Sequence, residues 1–162
     1  MDNRIYHIIE MLFWEEMMSR QVFLDIKIES HETVSAQSII EQLLRQGWTP
    51  LKNGEILHLP IGDQGDYNWI SDAISYEEFC AQTAVKEQKG ETIGVNLYWE
   101  DTDIGISLLI TEPNQLLIDL GINRRYLDES VCLTDFNWYA ERILVGLQKQ
   151  YHVCHYCFDY MF

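Results

Sequence analysis

Three consecutive runs in the middle of the chain, "TIGVNLYWE" (92–100), "IGISLLIT" (104–111) and "QLLIDLG" (115–121), alternate apolar and polar residues. Successive side chains of a strand point to opposite faces, so such alternation marks half-buried β-strands. Ile93, Val95, Leu97 and Trp99 share one face of the first run. Ile104, Ile106, Leu108 and Ile110 share one face of the second, and Leu116, Ile118 and Leu120 one face of the third. The connections are too short for a crossover, so neighbouring strands must run antiparallel. The result is a meander over 92–121 with an apolar face that something must cover.

The rest of the chain supplies more strands and a helical cover. "QVFLDIKIE" (21–29) alternates in the same way. Asn53-Gly54 suits positive φ at both central positions of a type I′ turn, which predicts a hairpin and a strand near 55–59. The aromatic tail "YHVCHYCFDYMF" predicts a last strand near 151–160. Apolar residues at helical spacing predict four helices. These cover 3–18 (Ile5, Ile8, Ile9, Leu12, Phe13), 34–46 ended by Gly47, 76–88 opened by a Ser75/Glu78 capping box and ended at Lys89-Gly90, and 134–149 capped by Thr134. The stretches 61–72 and 122–133 read as loops. No repeat or linker interrupts the pattern. The expectation is a single α+β domain over 1–162, a mostly antiparallel sheet packed by about four helices.

Charge narrows the partners. Eleven Lys and Arg stand against 26 Asp and Glu, a formal −15. Such a field repels phosphate backbones and anionic lipid, which argues against nucleic acid and membrane surfaces, and it speeds the capture of basic proteins. The N-terminal apolar run is broken by Glu10, Glu15 and Glu16 and lacks a basic start, unlike a signal peptide or membrane span. The four cysteines (80, 132, 154, 157) have no framework spacing. Together these predict a cytoplasmic protein with free thiols.

Motifs for chemistry are sparse. "YWEDTD" (98–103) contains Asp101-Thr102-Asp103, similar to the Asp-x-Asp motif with which nucleotide-sugar glycosyltransferases hold Mg²⁺ or Mn²⁺. The βαβ units that should surround such a motif are missing, and the stretch reads instead as a solvated turn between strands. "HVCHYC" (152–157) invites a zinc reading, but alternation along a strand separates Cys154 from Cys157, and no second ligand pair exists. There is no G-x-S-x-G, no P-loop and no G-x-G-x-x-G, and His7, His31 and His58 are scattered. The expectation is therefore no catalytic residues, no metal and no cofactor.

Acids and aromatics mingle in "GDYNWISD" (65–72) and "YWEDTD". Tyr and Trp anchor protein interfaces at little entropic cost, and surrounding acids select a basic partner. With its size, acidity and these two stretches, the chain resembles the acidic immunity proteins of bacterial polymorphic toxin systems. The resemblance implies a non-catalytic inhibitor that binds and neutralises a basic partner, such as a toxin nuclease domain. The residues expected to carry the contact are Asp66, Tyr67, Trp69, Asp72, Glu100, Asp101 and Asp103. Two alternatives stand beside it. One is a homo-oligomeric structural or adaptor protein, for example a homodimer built on the C-terminal strand. The other is a small-ligand-binding protein or enzyme with an unrecognised pocket.

Overall fold

The computed structural model describes residues 20–161, so the helix expected over 3–18 lies outside the described residues. These described residues form eleven strands: β1 (Gln21–Glu29), β2 (Trp48–Thr49), β3 (Leu51–Lys52), β4 (Glu55–His58), β5 (Ile70–Asp72), β6 (Ile93–Trp99), β7 (Gly105–Glu112), β8 (Gln115–Ile122), β9 (Tyr126–Asp128), β10 (Leu133–Thr134) and β11 (His152–Met161). Among the described residues three helices accompany them: α1 (Ala36–Leu44), α2 (Tyr76–Gln88) and α3 (Phe136–Gln148).

Nine strands form one antiparallel sheet whose main path runs β11-β1-β8-β7-β6-β4-β3, with β2 on β6 and β5 on β4. The expected meander is its centre, with Val95 opposite Leu108 and Leu108 opposite Ile118. One face carries the fully buried Leu24, Ile26, Val95, Leu97, Leu108 and Ile118, and α1, α2 and α3 pack over that face in a single core. The other face carries half-buried Phe23, Leu117, Asp119 and Ser107 and the buried Asn96, and Ser107 donates to Asn96 at 2.8 Å. Burial pushes the Asp119 carboxyl above its ordinary range, against the opposing pull of the Gly121 amide and of Arg124.

Local chemistry sets the ends of the helices. Ser75 and Glu78 form the expected reciprocal capping box at α2. Asp135, rather than Thr134, caps α3, and its side chain accepts from the Trp138 amide. Thr134 lies in β10, paired with Tyr126. Helix α1 is capped by Ser35 and ends at Arg45, so Gly47 stands one residue beyond the expected cap position. The hairpin at Asn53-Gly54 forms as expected, with φ of 53° and 81°.

Two stretches expected to be loops are partly strands. Residues 70–72 pair with β4, and residues 126–134 make the β9–β10 ribbon around a single 3₁₀ turn. Elements of two or three residues are too short to show a period, so pairing with neighbours decides them.

Candidate protein-binding surface

The acidic turn after β6 is held from several sides. The Trp99 amide donates to the Ile104 carbonyl at 2.9 Å, and Thr102 N–H donates to Trp99 at 3.0 Å. The Thr102 hydroxyl donates to the same Trp99 carbonyl at 2.7 Å and accepts from the Ile104 amide at 3.2 Å. Lys52 reaches across from β3, donating to the Thr102 carbonyl at 3.0 Å and pairing with Asp103. Asn123 donates to the Asp103 carbonyl at 2.9 Å.

Glu100 takes φ of 46°, a left-handed conformation costly for a residue with a Cβ. Its amide donates to the Gly47 carbonyl at 2.9 Å, and surroundings that over-determine a strained residue are what allow it to persist. Gly47 itself has φ of 115°, and a Cβ there would come within 3.0 Å of the Trp99 ring. The turn thus rests on Trp99, and Trp99 on a bare stretch of backbone.

Beneath the turn lies an aromatic cluster. The rings of Trp48, Trp99 and Trp138 meet edge to face with centroids 5.4–6.1 Å apart. Arg142 of α3 lies 4.9 Å from Trp99 and 4.3 Å from Trp138, and its backbone carbonyl accepts from the Trp48 indole at 3.0 Å. These residues come from β2, β6 and α3, and no local spacing joins positions 48, 99, 138 and 142. The one local hint was Trp99 on the apolar face of its alternating run.

Cations near the turn are committed. Lys52 serves Asp103, Arg125 serves Asp135 at 3.1 Å, and Arg142 serves Glu141 at 3.5 Å. Among the described residues no cation pairs with Glu100 or Asp101, and both are exposed.

The other expected contact residues stand elsewhere. Asp66 and Tyr67 are exposed in the loop between β4 and β5, and Tyr67 also has a positive φ, 54°. That loop is fixed by the buried Lys86, which donates to the Pro60 carbonyl at 2.6 Å and pairs with Glu91 at 3.3 Å. Glu91 accepts from the Gly62 amide at 2.9 Å, and this bond, with Lys86, holds its carboxyl below the ordinary range.

Trp69 is half-buried, its ring over Gly94. Asp72 is half-buried and bonds to the ring of His58 at 3.1 Å. His58 is itself buried, its ring edge to face with Phe79.

Register separates the two acidic groups. Leu59 donates to Gly94 at the start of β6, whereas the Glu100 turn follows its end. Six residues of strand put the roots of the loop and the turn about 20 Å apart. Glu100, Asp101 and Asp103 therefore form one group, and Asp66 and Tyr67 a second group at the opposite end of the sheet.

Among the described residues no three His, Cys, Asp or Glu side chains are placed to hold a metal ion, and the described cysteines are free thiols. No described helix is long and apolar enough to cross a membrane. A cavity of about 860 Å³ lies beside β8 and β9, lined by Asn123, Arg124, Tyr126, Glu129 and Ser130 among others. In comparisons with known proteins, the chain matches no family model, no curated protein and no solved structure.

Proposed function

We propose that this chain is a non-catalytic protein-binding module, an acidic inhibitor of the immunity type that binds and neutralises a basic partner such as a toxin nuclease domain. The observation that carries the reading is the turn of residues 100–103. It presents two carboxylates, Glu100 and Asp101, that pair with no cation among the described residues, on a backbone already locked by hydrogen bonds and a tryptophan cluster. A rigid presenting loop avoids the ordering cost that flexible loops meet on binding. Unpaired surface carboxylates gain a cation on docking without first breaking an internal pair. The net charge of −15 steers basic proteins toward the chain from a distance.

In this reading Glu100 and Asp101 make the central contact and Asp103 supports it through Lys52. Asp66 and Tyr67, with Trp69 behind them, contact a second part of a partner large enough to span the sheet edge. Carboxylates stand where the partner's phosphate substrate would otherwise bind, so binding blocks turnover.

The test is inhibition at defined stoichiometry. A basic protein captured from the host by the immobilised chain is assayed for its own activity, with and without added chain. The reading expects activity to fall linearly to zero at one equivalent. It expects Trp69→Ala with Asp101→Lys to raise the amount required. Full activity with the chain in excess, or an unchanged titration for that variant, would refute the inhibitor role or the assigned contact.

A further inference from the structure

Among the described residues the sheet ends at β11. This ten-residue strand pairs with β1 along one edge, and among the described residues no strand pairs with its other edge. Natural edge strands are usually guarded by Lys, Pro, bulges or brevity. β11 reads "HVCHYCFDYM", with neither Lys nor Pro. Its one irregularity lies near its start, opposite Lys27 and Ile28, and residues 155–161 pair with 21–27 in unbroken register. A regular row of backbone donors and acceptors therefore faces outward.

We propose that β11 is the contact strand of a symmetric homodimer, two copies pairing antiparallel about a two-fold axis through Cys157. Directly opposed residues in an antiparallel pair point to the same side, so the symmetry axis must pass through a residue position. An axis at Cys157 sets His155 against Asp159 of the second copy and Tyr156 against Phe158, each pair occurring twice. An imidazole then meets a carboxylate, and an aromatic ring meets an aromatic ring. Moving the axis one position either way loses the imidazole–carboxylate match, because His155 would face Cys157 or Met161 instead.

The surroundings of the strand fit this occupant. Tyr156 is 52% exposed although it lies on the helix-covered face, opposite Ile26. It borders a groove of about 230 Å³ that also takes in Leu144 and the exposed Val145 of α3. An axis perpendicular to the sheet keeps the helices of both copies on one side. The second α3 then approaches this groove, and Tyr156 is covered by Phe158 of the other copy. Phe158 is already held 4.8 Å from Phe136 of its own α3. This interface lies on the β11 edge, with β1 and β8 between it and the β6–β7 turn of residues 100–103, and stands or falls independently of the inhibitor reading.

The experiment is light scattering on the full chain at about 0.15 M salt, where repulsion between acidic copies is screened beyond about 8 Å. It is joined to disulfide trapping with a mild oxidant. The proposal expects twice the chain mass and a covalent dimer that Cys157→Ser abolishes while Cys154→Ser leaves intact. Opposed residues of an antiparallel pair have Cα separations within the disulfide range.

His155→Asp should shift the population toward monomer, and His155→Asp combined with Asp159→His should restore the dimer. Both side chains are exposed, so loss of folding does not confuse the comparison, and circular dichroism verifies it. A monomer at every concentration up to the solubility limit would overturn the proposal. So would trapping through Cys154, or a dimer indifferent to both variants.

Discussion

Adding one methyl group at Gly94 tests how the loop between β4 and β5 is seated on the sheet. A Cβ at this position would lie 2.7 Å from Cδ1 and Cγ of Leu59 and 3.0 Å from the Trp69 ring. Ordinary contact begins near 3.4 Å, so Leu59 must move. It has little freedom to do so, being 1% exposed and tied through its amide to the Gly94 carbonyl at 3.0 Å. Overpacking of this kind costs about 1–3 kcal/mol. Gly94 does not take a positive φ, so alanine suits its backbone, and the smaller entropy loss on folding returns about 0.5–1 kcal/mol. The net expectation for Gly94→Ala is a loss of about 0–2.5 kcal/mol, at most several degrees in Tm at this chain length.

The cause is isolated by a double-mutant cycle in urea. Leu59→Ala alone leaves a cavity and costs about 2–5 kcal/mol. Combined with Gly94→Ala, the new methyl occupies part of that cavity and the clash with Leu59 disappears. The double variant should be more stable than the sum of the singles by about 1–3 kcal/mol. Additivity within about 0.5 kcal/mol would refute the packing argument and with it the rigid seating of Trp69 and Tyr67.

Further expectations concern stability. Ser75→Ala removes the side-chain acceptor of the α2 capping box and should cost about 1 kcal/mol, read as a lower urea midpoint at unchanged m-value. Glu91 has its pKa lowered on folding, so it stabilises the fold above its unfolded value of 4.5, and that contribution is lost as pH falls through the folded value. Glu91→Gln should therefore be less stable than the parent at neutral pH, with the gap closing in acid. Asp119 has its pKa raised, so stability falls as pH rises past its unfolded value of 3.8, and the loss is complete above the folded value. Asp119→Asn keeps an acceptor for the Gly121 amide and should gain stability relative to the parent as pH is raised from about 3 to 7. An equal difference at both ends of the range would contradict either assignment.

The central strands were legible because each carries enough residues to show its period. Val95, Leu97, Leu108 and Ile118 are buried in the positions that alternation gives them. The α2 capping box and the Asn53-Gly54 turn were legible for a related reason, since their chemistry is local. What escaped is non-local or very short. β5 and the β9–β10 ribbon contain two or three residues each, and pairing alone makes them strands. Thr134 and Asp135 are both good caps, and only the backbone path shows that Asp135 does the capping. The support under the acidic turn unites Trp48, Trp99, Trp138 and Arg142, which no local pattern links. Asp72 looked like its exposed neighbours because its partner, His58, lies on an adjacent strand.

The central claim is that Glu100 and Asp101 are a preformed contact for a basic protein. The most direct measurement is the binding kinetics of the captured partner against the parent chain and Glu100→Lys/Asp101→Lys, at about 50 and 500 mM salt. The account predicts fast, salt-sensitive association for the parent and a one-to-one complex. It predicts at least a tenfold weaker complex, about 1.4 kcal/mol, for the variant, whose own stability stays within about 0.5 kcal/mol of the parent. Equal affinity of the two proteins, with both folded, would contradict it.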